Sequence, residues 1–265
     1  MKKGSLWSWV WILLGVLYFF LPLLATLQFS LKAERGVYGF KAYELVLGDP
    51  QFVETFVFSI EIAVLTIVCS LLLIVPTVYW VHLRLPQIRP ILEFIAFLPF
   101  VLPAVVLVFG LIRIYSRPPF ALTNAVWSTN LLLVGAYMSL ALPYMYRSVD
   151  TGLRAIDVRT LTEAAQSLGA SWATILWRVI FPNLRTALLS GAFLTFAIVV
   201  GEYTIAAFLA RPMYGPYLAG LVRNKAYEPA ALSILTFGLT WGIMGIVQWL
   251  TYRAPGATQV TAGPR

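Results

Sequence analysis

The sequence predicts an all-α fold, an integral membrane helical bundle of about six transmembrane helices. Three observations carry that prediction. Of 265 residues, 60% are hydrophobic and 11% charged, against roughly 25% charged in soluble domains. Six apolar runs, at residues 6–27, 56–80, 91–112, 127–146, 187–210 and 230–250, approach or exceed the ~20 residues a helix needs to cross a hydrocarbon core. The alternating ~10-residue segments of an outer-membrane barrel are not visible, so backbone polar groups must be satisfied within helices.

The first run follows Lys2 and Lys3 like the start of a secretory signal. Its apolar stretch exceeds the ~7–15 residues of a signal core and no clear A-x-A site follows, so it reads as an uncleaved first helix. The second run holds Pro76 and the single Cys69, which leaves neither a disulfide framework nor a Cys-based metal site. The third, with "FLPFVLPAVVLVFG", contains Pro99 and Pro103. Such kinks are tolerated where neighbours re-satisfy the freed carbonyls; they serve packing geometry or bend helices around a pathway. The connection "RIYSRPPFALTNAVWST" is too short and polar to span and predicts a brief surface helix or re-entrant turn. Trp7, Trp9, Trp11, Trp80, Trp127 and Trp249 lie near the ends of runs, where aromatic side chains anchor helices at the interface. A transmembrane domain over 1–251 follows, and 252–265, ending in "APGATQVTAGPR", reads as a disordered tail.

Charge sets the expected orientation. With the N-terminus in the cytoplasm, eleven of the 19 Lys and Arg residues fall inside and eight outside, in the sense of the positive-inside rule. Both termini are then cytoplasmic. The net charge of +8 is scattered over loops rather than gathered into a stripe, which argues against nucleic acid as a partner.

On that topology the longest cytoplasmic loop, 147–186, contains "TLTEAAQSLGASWATILWRVIFP". Thr160 and Glu163 are spaced as a capping box, Gly169 stands where a left-handed residue closes a helix, and Ser171 can cap a second helix before Pro182 breaks or bends the chain. Two readings stand. Glu163 is a capping residue and Trp172, Ile175, Leu176 and Val179 hold an amphipathic helix at the interface; or the small Ala164–Ala165 face admits a partner, as in helix-in-groove recognition.

The stretch resembles the signature of permease subunits of ATP-binding-cassette importers, E-A-A-x-x-x-G, nine residues, then I-x-L-P. Glu163, Ala164, Ala165, Gly169 and Pro182 stand at that spacing, with Val179 and Phe181 replacing the isoleucine and leucine. The likeness extends from about Phe56 to Leu250, through "FLPFVLPAVVLVFGL", "ALPYMYRSVDTGLRAID" and "GEYTIAAFL"; the last is most similar to the spermidine/putrescine (polyamine) subfamily. The resemblance implies that the loop helix, through Glu163, Ala164, Ala165 and Gly169, docks in a cytoplasmic ATPase subunit and transmits its motion. It implies two ATPase subunits holding ATP and Mg, a second permease, identical or homologous, an extracytoplasmic solute-binding protein, and a bacterial or archaeal inner membrane. No cofactor is expected in this chain. None of its five lysines lies in a G-x-x-x-x-G-K-[ST] loop, so ATP must be hydrolysed elsewhere.

Glu202, in a predicted span, is expensive in hydrocarbon unless it faces a cavity or a partner. With Tyr203 it is the candidate solute pathway, the rival reading being a structural hydrogen bond in the bundle. Glu61 and Glu93 read as boundary residues, and His82 as a lone loop histidine without a function. No catalytic set and no metal cluster emerges. A secondary transporter is the alternative, disfavoured by the absence of a convincing internal repeat; an intramembrane enzyme ranks below it.

Overall fold

The structure is a computed structural model that describes residues 6–33 and 37–253. In chain order its helices are α1 (Leu6–Ser30), α2 (Lys41–Leu47), α3 (Pro50–Arg84), a 3-10 turn (Pro86–Ile88), α4 (Arg89–Val101), α5 (Ala104–Tyr115), α6 (Val126–Arg154), α7 (Val158–Ser167), α8 (Trp172–Ile175), a π-helical turn (Leu176–Ile180), α9 (Phe181–Asn183), α10 (Arg185–Gly201), α11 (Thr204–Phe208), α12 (Tyr214–Asn224) and α13 (Glu228–Arg253). No strand occurs among the described residues, so the fold is all-α as the composition predicts.

Helices α1, α3 and α6 are each long and apolar enough to cross a membrane, and α13 covers the sixth apolar run. The runs read as single spans at 91–112 and 187–210 are instead broken. Between α4 and α5 the axis turns by 101°, because Leu102 is extended (ψ 117) ahead of Pro103; the residue before a proline is driven out of the α region. Helix α10 stops at Gly201, where Glu202 is extended (ψ 132), and α11 restarts the chain at Thr204. The connection 116–125, expected as a short helix or turn, contains turns and no helix. Helix α6 continues to Arg154, into what the hydropathy placed in a loop from 147. The expected tail lies, beyond its first two residues, outside the described residues.

Contacts divide the chain into two compact units, 1–54 with 217–242 and 55–216 with 243–265. In the first, the Ser30 and Tyr43 hydroxyls are hydrogen-bonded at 2.7 Å, Phe29 packs on Tyr227, and the Tyr217 hydroxyl donates to Asp49 at 2.8 Å. Helix α1 leaves Trp9, Leu13, Phe19 and Leu24 exposed, the mark of a surface facing lipid or a partner rather than water.

In the second unit α6 packs along α10 and α4, and α11 against α5. The α6–α10 approach depends on two glycines. A Cβ on Gly152 would meet Ala187 Cβ at 2.6 Å, and one on Gly191 would meet Met145 Sδ at 2.8 Å and Ser148 Cβ at 3.2 Å; small residues let membrane helices close together. Around that contact Val75, Val78, Tyr79, Met145, Tyr146, Val149, Leu153, Ile175, Ile180 and Leu184 form one buried cluster. The polar segment predicted from sequence sits on it.

Candidate functional site

The segment 155–184 begins with a cap, three residues earlier than the sequence indicates. Asp157, not Thr160, is the N-cap: its carboxylate accepts from the Thr160 amide at 3.1 Å and the Thr160 hydroxyl at 2.7 Å. These bonds hold the Asp157 carboxyl below its ordinary value, and an anion at a helix N-terminus is favoured by the dipole as well. The added turn places Val158, Thr162 and Ala165 on one face, where Val158 and Thr162 are buried. Thr162 Oγ1 donates to the Val158 carbonyl at 2.6 Å, so at 2.9 Å it accepts from the Tyr79 hydroxyl of α3, a hydroxyl having a single proton to give. Glu163, freed from the expected reach back to Thr160, accepts from Arg159 Nε at 2.8 Å on the exposed side.

Gly169 closes α7 as expected. Its φ of +79° lies in the region that a side chain rarely adopts, and the Ala170 amide donates to the Ala165 carbonyl at 3.0 Å. The four positions singled out from the motif divide: Ala165 packs against the buried cluster, while Glu163, Ala164 and Gly169 are exposed. Leu168, which the motif does not mark, is 88% exposed.

Ser171 then caps α8, accepting from the Thr174 amide at 3.3 Å. Ile175 and Ile180 are fully buried, each worth about 1.5–3 kcal/mol on transfer from water. Trp172 lies edge-on to Trp80 with Arg84 over its ring, tying α8 to the end of α3. Pro182 does not end the helix. It sits in the first turn of α9, where its missing N–H matters little, and the wider π-helical turn upstream makes room for its ring. The turn into α10, of 79°, comes at Leu184.

Beneath this segment lies a cluster that the sequence reading missed. Asp150 of α6 has 2% of its side chain exposed and binds Arg89 at 3.1 Å and Arg154 at 2.8 Å. His82 Nε2 lies 2.7 Å from Asp150 Oδ1 and donates to it, since a carboxylate oxygen can only accept. His82 is therefore no lone loop histidine: it ends α3 and joins α3, α4 and α6 through one carboxylate. The signal available in sequence was the i,i+4 spacing of Asp150 and Arg154. Glu93 pairs with Arg147 at 3.7 Å, and Glu61 is exposed along α3.

Glu202, at the break between α10 and α11, is half-buried. Its carboxylate accepts from the Ile205 amide at 2.9 and 3.0 Å, the Ala206 amide at 3.3 Å and the Tyr137 hydroxyl of α6 at 3.2 Å. These donors give α11 an anionic cap. Tyr203 beside it is exposed. Gly215 lies so close to the Glu202 carbonyl that a Cβ there would collide with it.

Broken apolar helices with a two-faced helical segment seated on a shared buried cluster describe a helical membrane protein. The chain belongs to the family described as binding-protein-dependent transport system inner membrane component, matched over residues 83–252. That family is the permease of ABC importers, which work with ATPase and binding-protein partners. The chain is 29% identical over 203 residues to a probable sulfate transport system permease protein of Chlorokybus atmophyticus, covering 74% of this chain and 70% of the other. It is 25% identical over 202 residues to the spermidine/putrescine transport system permease protein of Escherichia coli, covering 74% of each. Over 154 residues, 57% of each chain, it is 30% identical to a probable molybdenum ABC transporter permease protein of Haloferax volcanii. A solved bacterial ABC transporter involved in import of the acidic polysaccharide alginate shares the fold, with a TM-score of 0.66 over 94% of this chain and 99% of that one at 21% identity.

Proposed function

We propose that this chain lines the solute pathway of an ATP-driven importer, and that 155–184 is the segment through which a separate ATPase moves it. One observation carries the reading: the segment has two faces. Val158, Thr162, Ile175 and Ile180 are buried toward α3 and α6, while Glu163, Ala164 and Leu168 stand exposed. A partner gripping the outer face would shift the helix ends through the inner one. In this proposal ATP and Mg sit in two partner ATPases, a second permease completes the pathway, and a binding protein delivers the solute from outside. Both termini and the segment face the cytoplasm.

Glu163→Arg places a second cation beside Arg159, and Gly169→Asp strains a left-handed turn. Both are expected to abolish uptake into membrane vesicles while the subunit still inserts; undiminished uptake in both would remove the coupling role.

For the solute, the sequence reading is a polyamine such as spermidine or putrescine, supported by "GEYTIAAFL" and by the spermidine/putrescine relative. Glu202 and Tyr203 would be its pathway residues. A small oxyanion is the second reading, favoured by the sulfate and molybdenum relatives and by the occupation of the Glu202 carboxylate with backbone amides. Calorimetry of the cognate binding protein against spermidine and sulfate separates the two.

A further inference from the structure

We propose that Arg211, with Thr123 and Asn124, forms an oxyanion-binding site at the end of the second unit opposite the coupling segment. A cavity of about 350 Å³ opens there between the end of α5, the connection into α6 and the end of α11, lined by these residues with Ile112, Ala125, Val126, Thr129 and Phe208–Ala210. Among the described residues, Arg211 is the one charged residue in its wall. On the topology proposed above this is the extracytoplasmic mouth.

The guanidinium is held but not satisfied. Its carbon lies 5.6 Å from the centroid of the Phe58 ring, within cation–π range, while Nε is buried with no hydrogen-bond partner in the structure. That Nε is sealed from the cavity, whereas Arg211 itself stands in the cavity wall, where an anion would pair with its charge.

Charge around the cavity points the same way. No Asp or Glu occurs between Glu93 and Asp150, nor between Glu202 and Glu228, the two stretches that supply every wall. Arg113, in the last turn of α5, and Arg117, on the connection that follows, stand exposed. A guanidinium, an amide and the Thr123 hydroxyl around a positively biased opening match a tetrahedral oxyanion, whether a free ion such as sulfate or molybdate or the phosphate of an anionic lipid; the Thr129 hydroxyl is spent on the Ala125 carbonyl at 2.8 Å. A polyamine would be repelled from it.

The test uses the assembled importer in lipid nanodiscs without ATP, so that a failure of coupling, as in Glu163→Arg, leaves the readout untouched. Equilibrium binding of radiolabelled sulfate and of molybdate is measured in zwitterionic lipid, and retention of phosphatidylglycerol by native mass spectrometry in mixed lipid. Arg211→Gln is expected to weaken binding roughly 10- to 100-fold, the loss of a charge-assisted pair, with partial recovery in Arg211→Lys. Ala125→Leu, which fills the cavity and keeps the guanidinium, must also lose binding, so the test survives if Arg211→Gln fails to assemble. Saturable binding of sulfate or molybdate lost in these variants identifies a free ion. Lipid retained by the parent and released by the variants identifies a headgroup. If neither ion nor lipid distinguishes the parent from the variants, the site does not exist.

Discussion

Two carboxylates of the second unit, Asp150 and Glu202, are met by different means. Asp150 is gripped by side-chain donors from α3, α4 and α6: His82, Arg89 and Arg154. Glu202 is met by amides of the helix that follows it and by one hydroxyl. The first arrangement ties three helices into one body, whereas the second organises a chain break. A carboxylate within an apolar chain thus does not by itself announce a cationic solute. What it holds decides what it does.

The comparison predicts its largest effect at Asp150. Asp150→Ala leaves two guanidiniums and an imidazole facing one another without their shared anion; removing one partner of a fully buried ion pair costs about 3–5 kcal/mol, and the part-exposed Arg89 and Arg154 bring the expected loss below that range. Loss of the assembled transporter on solubilisation, or a matching drop in chemical denaturation of the complex, is the expected result. A variant as stable as the parent would mean that α3, α4 and α6 are held by apolar packing alone. Since the same cluster underlies 155–184, Asp150→Asn is expected to retain more assembly than Asp150→Ala yet uncouple ATP hydrolysis from uptake.

Glu202→Gln comes next. Glutamine keeps the shape and one carbonyl acceptor for the Ile205 amide, so the expected loss is about 1–2 kcal/mol, that of a charge-assisted hydrogen bond weakened to a neutral one. Tyr137→Phe should cost about 1 kcal/mol through the same contact. If Glu202 serves as a cap, both variants lower unfolding temperature while uptake changes little. Uptake of a cationic solute abolished in Glu202→Gln, with stability unchanged, would reverse the assignment and restore the carboxylate to the pathway.

The sequence made legible whatever depends on local pattern. Apolar length marks the helices because hydrocarbon thickness sets it, and motif spacing locates α7, Gly169 and Ser171 because caps are local chemistry. What it hid depends on distance. Asp157 and Thr160 both begin plausible capping patterns, and the choice falls to Asp157 because the longer helix buries Thr162 against Tyr79, 83 positions away. The Asp150 cluster joins residues separated by 61 and 68 positions, which no periodicity reveals. Pro103 signalled the turn between α4 and α5, though not its 101° size. The break at Glu202 interrupts an apolar run with no proline to mark it, and its capping donors lie downstream of a residue that hydropathy reads as misplaced.

The smallest expected effect lies at the exposed cap of α7, and it carries a definite pH sign. The Thr160 bonds depress the folded carboxyl of Asp157, so the ionised group favours the folded helix. Its contribution is complete above the unfolded value of about 3.9 and is lost as pH falls through the lower folded value. Between pH 5 and 8 the cap is expected to be constant. Below about pH 4, amide exchange at Thr160 and Leu161 should accelerate. In Asp157→Asn a neutral side chain caps at every pH, so the acid-induced acceleration should vanish, whereas Asp157→Ala should exchange faster throughout. Glu163 supplies the competing explanation, since it pairs with Arg159 at 2.8 Å in the same turn. If the acceleration persists in Asp157→Asn and disappears in Glu163→Gln, the i,i+4 pair holds the first turn of α7 and the Asp157 cap does not.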